Sequence, residues 1–219
     1  MPPSSVPTRT AQILRLSQRR FDVLVIGGGI TGAGIARDAA RRGLDVALVE
    51  RDDFASGTSS RSSRLVHGGV RYLEHGYLRL VFESSHERRV LLRIAPHLVR
   101  PLPFTWPVYD GARLSLWKLQ AGLLLYDLLA LFKNVAPHRR LNARGVLAAE
   151  PMLARAGLRG GARYFDAATD DARLTLATLF DAAVAGATIV NHADVTALQF
   201  TDGRASGVSV TDRLGGRTL

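Results

Sequence analysis

Apolar runs and helical stripes alternate from residue 21 onward. Phe21 to Ile26 (FDVLVI) is a short apolar run bounded by glycines, the pattern of a buried parallel strand. In the segment that follows, Ile35, Ala36, Ala39 and Ala40 fall on one helical face, with Arg37, Arg41 and Arg42 opposite. Gly43 stops that helix, and Asp45 to Glu50 (DVALVE) reads as a second strand. The three pieces make a βαβ unit of about thirty residues. Further on, Tyr77 to Ile94 predicts a helix with Leu78, Val81, Phe82 and Ser85 on one side, ended by Pro96. Pro101, Pro103 and Pro107 mark an extended crossing segment. Leu114 to Phe132 is strongly apolar, but Lys118, Gln120 and Asp127 interrupt it, so a buried helix is expected rather than a membrane span. An interfacial helix lying on a membrane is the competing reading. Ala172 to Gly186 is a further helix, and Val195 to Thr201 and Gly207 to Thr211 are strands joined at an Asp202-Gly203 hairpin signal. Asp212 to Arg217 (DRLGGR) reads as a second turn.

Composition narrows the class. The 219 residues are 47% hydrophobic, enough to bury a core, and contain no cysteine, which excludes disulfides and thiolate metal sites. The net charge of +10 is nearly all arginine, the lysines being Lys118 and Lys133. The charges are scattered without a long run of one sign, so no nucleic-acid partner is expected. Residues 1–20 carry prolines, serines and arginines and no acid, and lack the apolar core of a signal peptide. A flexible N-terminal tail is the expectation, an organellar presequence the alternative.

The first candidate site is GGGITG. Gly27, Gly29 and Gly32 form G-x-G-x-x-G directly after a strand and at the start of a helix. Gly27 allows a tight turn, Gly29 lets a pyrophosphate approach the backbone, and Gly32 lets helix and strand pack closely. The helix N-terminus offers free N–H groups and a positive dipole end to phosphates. Glu50 closes the second strand, where a carboxylate can accept both ribose hydroxyls of an adenosine and would repel a 2′-phosphate. This pattern does not separate FAD from NAD.

The second candidate, SGTSSRSSRLVHGGVRYLEH at 56–75, decides that question. With the βαβ unit before it, it closely resembles the N-terminal region of the FAD-dependent (aerobic-type) glycerol-3-phosphate dehydrogenases, in the superfamily of D-amino-acid oxidase and glycine oxidase. There a TSSxSS(K/R)LxHGGxRYLE segment follows the Rossmann unit. APHL at 95–98 and TDDARL at 169–174 match family segments as well. The resemblance implies an α/β fold, a Rossmann-like FAD-binding domain of the glutathione-reductase/D-amino-acid oxidase type, with the start of a mixed α+β substrate domain. The expected organisation is a tail at 1–20, the FAD unit and flavin-contact segment at 21–75, a helical insertion belonging to the substrate domain at 76–168, and a return to the FAD domain at 169–219.

The resemblance also implies roles. Arg51 belongs with Glu50 at the cofactor. Thr58, Ser59, Ser62 and Ser63 would offer short donors to pyrophosphate and flavin carbonyls. Gly68 and Gly69 would let the backbone lie against the isoalloxazine ring. His67 would contact the flavin and is the candidate for proton transfer. Arg71 and Tyr72 would hold the substrate, the arginine gripping its phosphate with paired hydrogen bonds, although a surface ion pair is the plain alternative for Arg71. Asp170 and Asp171 read as a helix N-cap, and no metal is expected. The implied reaction converts sn-glycerol 3-phosphate to dihydroxyacetone phosphate, a hydride leaving C2 for the flavin and electrons passing to a membrane quinone. The implied location is cytoplasmic, peripheral on the inner face of the cell membrane, and a homodimer is left open. Family members are at least about twice this length, with a later strand closing the FAD domain. An incomplete sheet and an inactive fragment are therefore expected. The alternatives are an amino-acid or 2-hydroxyacid oxidase, or a non-enzymatic FAD-binding fragment.

Overall fold

The computed structural model describes residues 7–219. The chain divides into two compact units, residues 7–63 with 171–219 and residues 64–170. The boundary falls inside the serine-rich stretch, between residues 63 and 64, not after 75 as the sequence suggests.

The first unit holds a parallel sheet of β1 (Val23–Ile26), β2 (Val46–Val49) and β7 (Thr188–Val190), with β2 central. The register sets Ile26 opposite Val49 and Val49 opposite Val190. β2 is buried along its whole length, as an apolar strand in a parallel sheet requires. Helix α2 (Ile30–Arg41) buries Ala33, Ala36, Ala39 and Ala40. Small side chains let α2 approach the sheet closely, and Ile35, expected on the buried face, is exposed instead. Helix α6 (Asp171–Val184) packs on α2 through Leu179 and Ala182. A second, antiparallel sheet follows in the order β10-β9-β8, from β8 (Ala193–Thr201), β9 (Arg204–Asp212) and β10 (Arg217–Thr218). Asp202 and Gly203 both have positive φ, 50° and 73°, as the tight hairpin turn predicted for them requires.

The tail expected over 1–20 falls partly on residues 1–6, outside the described residues. Arg9–Gln18 form helix α1 instead of a tail. Thr8 caps it, and the Gln12 side chain, buried, accepts the Ile189 N–H at 2.7 Å. Arg9 donates to the Asn191 carbonyl at 3.0 Å and to Asp212 Oδ1 at 2.7 Å. α1 thus lies along the free edge of β7 and satisfies one of its amides. The order of this segment comes from those partners, which local periodicity does not reveal.

The second unit is built on a sheet, with more strand than the helical insertion expected for 76–168 within a mixed α+β substrate domain. β6 (Leu158–Thr169) is flanked by β3 (Leu65–Val66) and β4 (Val99–Tyr109), and also pairs with β5 (Arg139–Asn142); all pairings are antiparallel. The proline-marked segment is thus an eleven-residue strand. Pro101, Pro103 and Pro107 share one parity, so their missing N–H groups fall together on the edge that β6 does not use. Helices α3 (Leu78–Ile94), α4 (Leu116–Leu129) and α5 (Ala143–Ala149) complete the unit. α4 buries Leu119, Leu123, Tyr126 and Asp127, while Trp117, Leu124 and Leu128 are exposed. It is half-buried, with apolar side chains on both faces. No helix among the described residues is long and apolar enough to cross a membrane.

Candidate nucleotide and flavin site

The glycine motif takes the geometry its chemistry needs. Gly27 has φ 113°, and Gly29 caps the N-terminus of α2. A Cβ on Gly32 would lie 2.0 Å from the Gly27 carbonyl oxygen, so helix and turn are in backbone contact there. Glu50 reaches back across the turn. Its Oε2 accepts the Gly28 N–H at 2.7 Å and its Oε1 accepts the Asp52 N–H at 2.8 Å. Each oxygen keeps a further lone pair, so the carboxylate is held in place yet still able to accept a ribose hydroxyl.

A polar cavity of about 400 Å³ opens beside these groups. Gly29, Glu50, Arg51, Thr58 and Ser59, all singled out in the sequence, line it. Ser56, Gly57, Arg61 and Asp52 line it too, and the sequence did not single them out. Ser59 Oγ accepts the Ile30 N–H at 2.9 Å, which puts the hydroxyl at the positive end of α2. Asp52 is held below the usual carboxylate range, chiefly by a hydrogen bond from Arg213, with Arg51 adding to it. Ser62 is placed differently: its hydroxyl donates to Asp171 Oδ2 at 2.6 Å. Ser63 is exposed and does not line the cavity.

His67, Gly68, Gly69, Arg71 and Tyr72 belong to the second unit. His67 and Arg71 are exposed, and the His67 and Tyr72 rings lie 6.1 Å apart, tilted by 43°. No ion pair or hydrogen bond to the Arg71 side chain occurs among the described residues, so the surface pairing considered for it is not what is seen. The two glycines have local reasons beyond any ligand. A Cβ on Gly68 would fall 2.1 Å from the Tyr126 hydroxyl, and one on Gly69, at φ 71°, would fall 2.4 Å from the Tyr72 ring. The Gly68 N–H donates to Asp166 Oδ1 at 2.9 Å. Asp166 is also bound by Arg88 and, at 2.9 Å, by the Tyr126 hydroxyl. Arg88 is 2% exposed and Asp166 3%. Burial pushes the Tyr126 phenol well above its usual range and the Tyr164 phenol up to about 12, so both stay protonated. Sequence reading missed this cluster. The signal was available: Val81, Ser85 and Arg88 form the buried stripe of α3, an arginine standing where the pattern asks for an apolar residue. No group of three or more metal-ligating side chains occurs among the described residues.

A βαβ turn with a helix N-terminus, a carboxylate at the end of the second strand and a polar cavity beside them are the features of a dinucleotide-binding fold. Comparison with known proteins specifies the class: residues 22–218 match the FAD dependent oxidoreductase (DAO) family, and the chain belongs to it. A glycerol-3-phosphate dehydrogenase of Synechocystis sp. is 49% identical over 180 residues, covering 82% of this chain and 32% of the relative. An alpha-glycerophosphate oxidase of Streptococcus pneumoniae is 44% identical over 214 residues, 96% of this chain and 35% of the relative. The glycerol-3-phosphate dehydrogenase of Bacillus halodurans, solved in complex with FAD, superposes with a TM-score of 0.74 at 36% identity, covering 96% of this chain and 34% of that one. The chain therefore spans about a third of the length of the relatives it matches. FAD is the cofactor of the family, and the first unit fits it. The bare backbone at Gly29, the free lone pairs of Glu50 and the hydroxyl of Ser59 are the donors and acceptors that an adenosine diphosphate moiety needs.

Proposed function

We propose that this chain supplies the FAD-binding portion of a site that oxidises sn-glycerol 3-phosphate to dihydroxyacetone phosphate. The observation that carries the reading is the cavity beside α2, where Glu50 is fixed by two backbone amides and Ser59 sits on the helix N-terminus. Glu50 takes the ribose, and the α2 N-terminus, Thr58 and Ser59 take the pyrophosphate. FAD, when bound, supplies the hydride acceptor. In the second unit, His67 takes the hydroxyl proton of the substrate, and Arg71, exposed, offers its guanidinium fork to the phosphate. Tyr72, beside His67, orients the alcohol.

Electrons then pass to a quinone at a membrane surface on the inner face of the cell membrane. What supports this location is the exposed apolar side of α4, with Trp117, Leu124 and Leu128, near the basic Lys118. Molecular oxygen is the rival acceptor, favoured by the likeness to an alpha-glycerophosphate oxidase. The test is a visible spectrum of the purified chain after FAD is added and excess removed. Retained flavin bands are expected, and Glu50→Gln should weaken retention about tenfold, the loss of one charge-assisted hydrogen bond. Absence of bound flavin in the folded chain would refute the cofactor assignment. Anaerobic glycerol 3-phosphate should bleach the flavin wherever the substrate groups are complete, and bleaching by an amino acid instead would move the protein to another substrate class.

A further inference from the structure

We infer that Arg88 and Asp166 are positioning residues for the His67–Gly69 backbone, acting through the amide of Gly68. The inference rests on the reading above that His67, Arg71 and Tyr72 serve the substrate. Asp166 lies on β6 and Arg88 on α3, and a single carboxylate oxygen gathers the Gly68 N–H, the Tyr126 hydroxyl and Arg88 Nη1. With the amide of Gly68 drawn inward, the planar trans peptide turns the His67 carbonyl to the opposite side. The Cα of Gly68 is equally constrained. A Cβ there would meet the Tyr126 hydroxyl at 2.1 Å and Ser85 Oγ at 2.6 Å. Gly69 then turns through φ 71° into the 3-10 turn that carries Arg71 and Tyr72.

The pair is itself braced. Arg88 Nη2 donates to Asn134 Oδ1, and Asn134 Nδ2 donates to Asp127 Oδ1 at 2.7 Å. Asp127 Oδ2 accepts the His138 backbone N–H at 3.0 Å and lies 2.7 Å from its Nδ1. Arg88 therefore has no freedom to leave Asp166. A buried ion pair is a poor way to gain stability, because apolar residues of similar volume usually do as well or better. What apolar residues cannot do is accept a backbone N–H and so fix a peptide plane. That difference assigns the pair to geometry rather than to bulk stability.

The test uses the 219-residue chain. The apolar double variant Arg88→Met/Asp166→Leu is compared with the neutral variant Arg88→Met/Asp166→Asn, which keeps an acceptor for the Gly68 N–H. Thermal unfolding should differ little between either variant and the parent. Amide hydrogen exchange over residues 66–72 should speed up about tenfold in the apolar variant, while β4 and β6 keep their protection. Most of the protection at 66–72 should return in the neutral variant. Unchanged exchange at 66–72, acceleration spread over the whole sheet, or failure of the neutral variant to recover would each overturn the inference. FAD loading separates the two readings. A parent that takes up no flavin defeats the proposed function while the exchange comparison still decides the positioning claim. In flavin-loaded protein, the apolar variant should keep its FAD but show raised flavin fluorescence, and identical fluorescence would sever the pair from the cofactor.

Discussion

The two units solve the same problem, holding backbone amides in a fixed pose, by opposite means. In the nucleotide unit the pose comes from missing side chains. Gly27 and Gly32 touch backbone to backbone, and Glu50 reaches the turn from the next strand. In the second unit the pose of Gly68 comes from side chains: its amide is held by Asp166, 98 residues away, and Asp166 by Arg88 and Tyr126. A glycine cradle tolerates no addition. A buried charge cluster tolerates no single deletion. The two should therefore fail differently under mutation.

The largest effect is expected at the cluster. Arg88→Met alone leaves the Asp166 carboxylate buried without its cation, and should cost about 3–5 kcal/mol. Both tryptophans, Trp106 and Trp117, lie in the second unit, so their fluorescence reads its unfolding in urea. Adding Asp166→Leu should recover most of the loss. A single variant as stable as the double would mean that the pair is not electrostatically committed, and the contrast with the glycine cradle would disappear.

A smaller loss is expected at the cradle. Gly32→Ala forces a Cβ against the Gly27 carbonyl and should cost about 1–3 kcal/mol, with loss of FAD retention. Gly34 is the control within the same helix. A Cβ there meets nothing within 4 Å, so Gly34→Ala should be neutral or stabilise by up to about 1 kcal/mol, as alanine does in a helix interior. If circular dichroism melts showed the two alanines to be equivalent, close backbone packing would not be the reason for Gly32.

This difference also explains how much could be read in advance. The βαβ part of the nucleotide unit was legible because its chemistry is local: strand, glycine turn, helix and Glu50 lie within thirty residues, and each residue type has one physical reason to be there. The serine-rich block announced its family, but not that Ser62 would bind Asp171. The sheet of the second unit was hidden. Prolines disguised β4, and β6 (LRGGARYFDAAT) has neither strict alternation nor a long apolar run. Helix α1 was hidden for the same reason, since its partners at Ile189 and Asp212 lie more than 170 residues away. What depends on contacts distant in sequence leaves only oblique marks, such as an arginine on a buried helical stripe.

The smallest effect tests the same Arg–Asp chemistry near the surface. Arg37 and Arg41, read as the solvent face of α2, both bind Asp181 on α6. The Arg41 hydrogen bond holds the Asp181 carboxyl below its usual range, with Arg37 adding to it against a partial desolvation. A depressed folded pKa stabilises the fold above the unfolded value near about 4, and that contribution disappears as pH falls through the folded pKa. Asp181→Asn should therefore lower the urea midpoint at pH 7, by an amount that shrinks as the pH is taken down below about 4. Arg41 is 53% exposed, so solvent screening should keep the neutral-pH loss well below that of Arg88→Met, and added salt should shrink it. A gap that did not shrink at all on acidification would show the side chain acting through packing rather than charge. A gap as large as that of Arg88→Met would mean that burial is not what separates the two pairs.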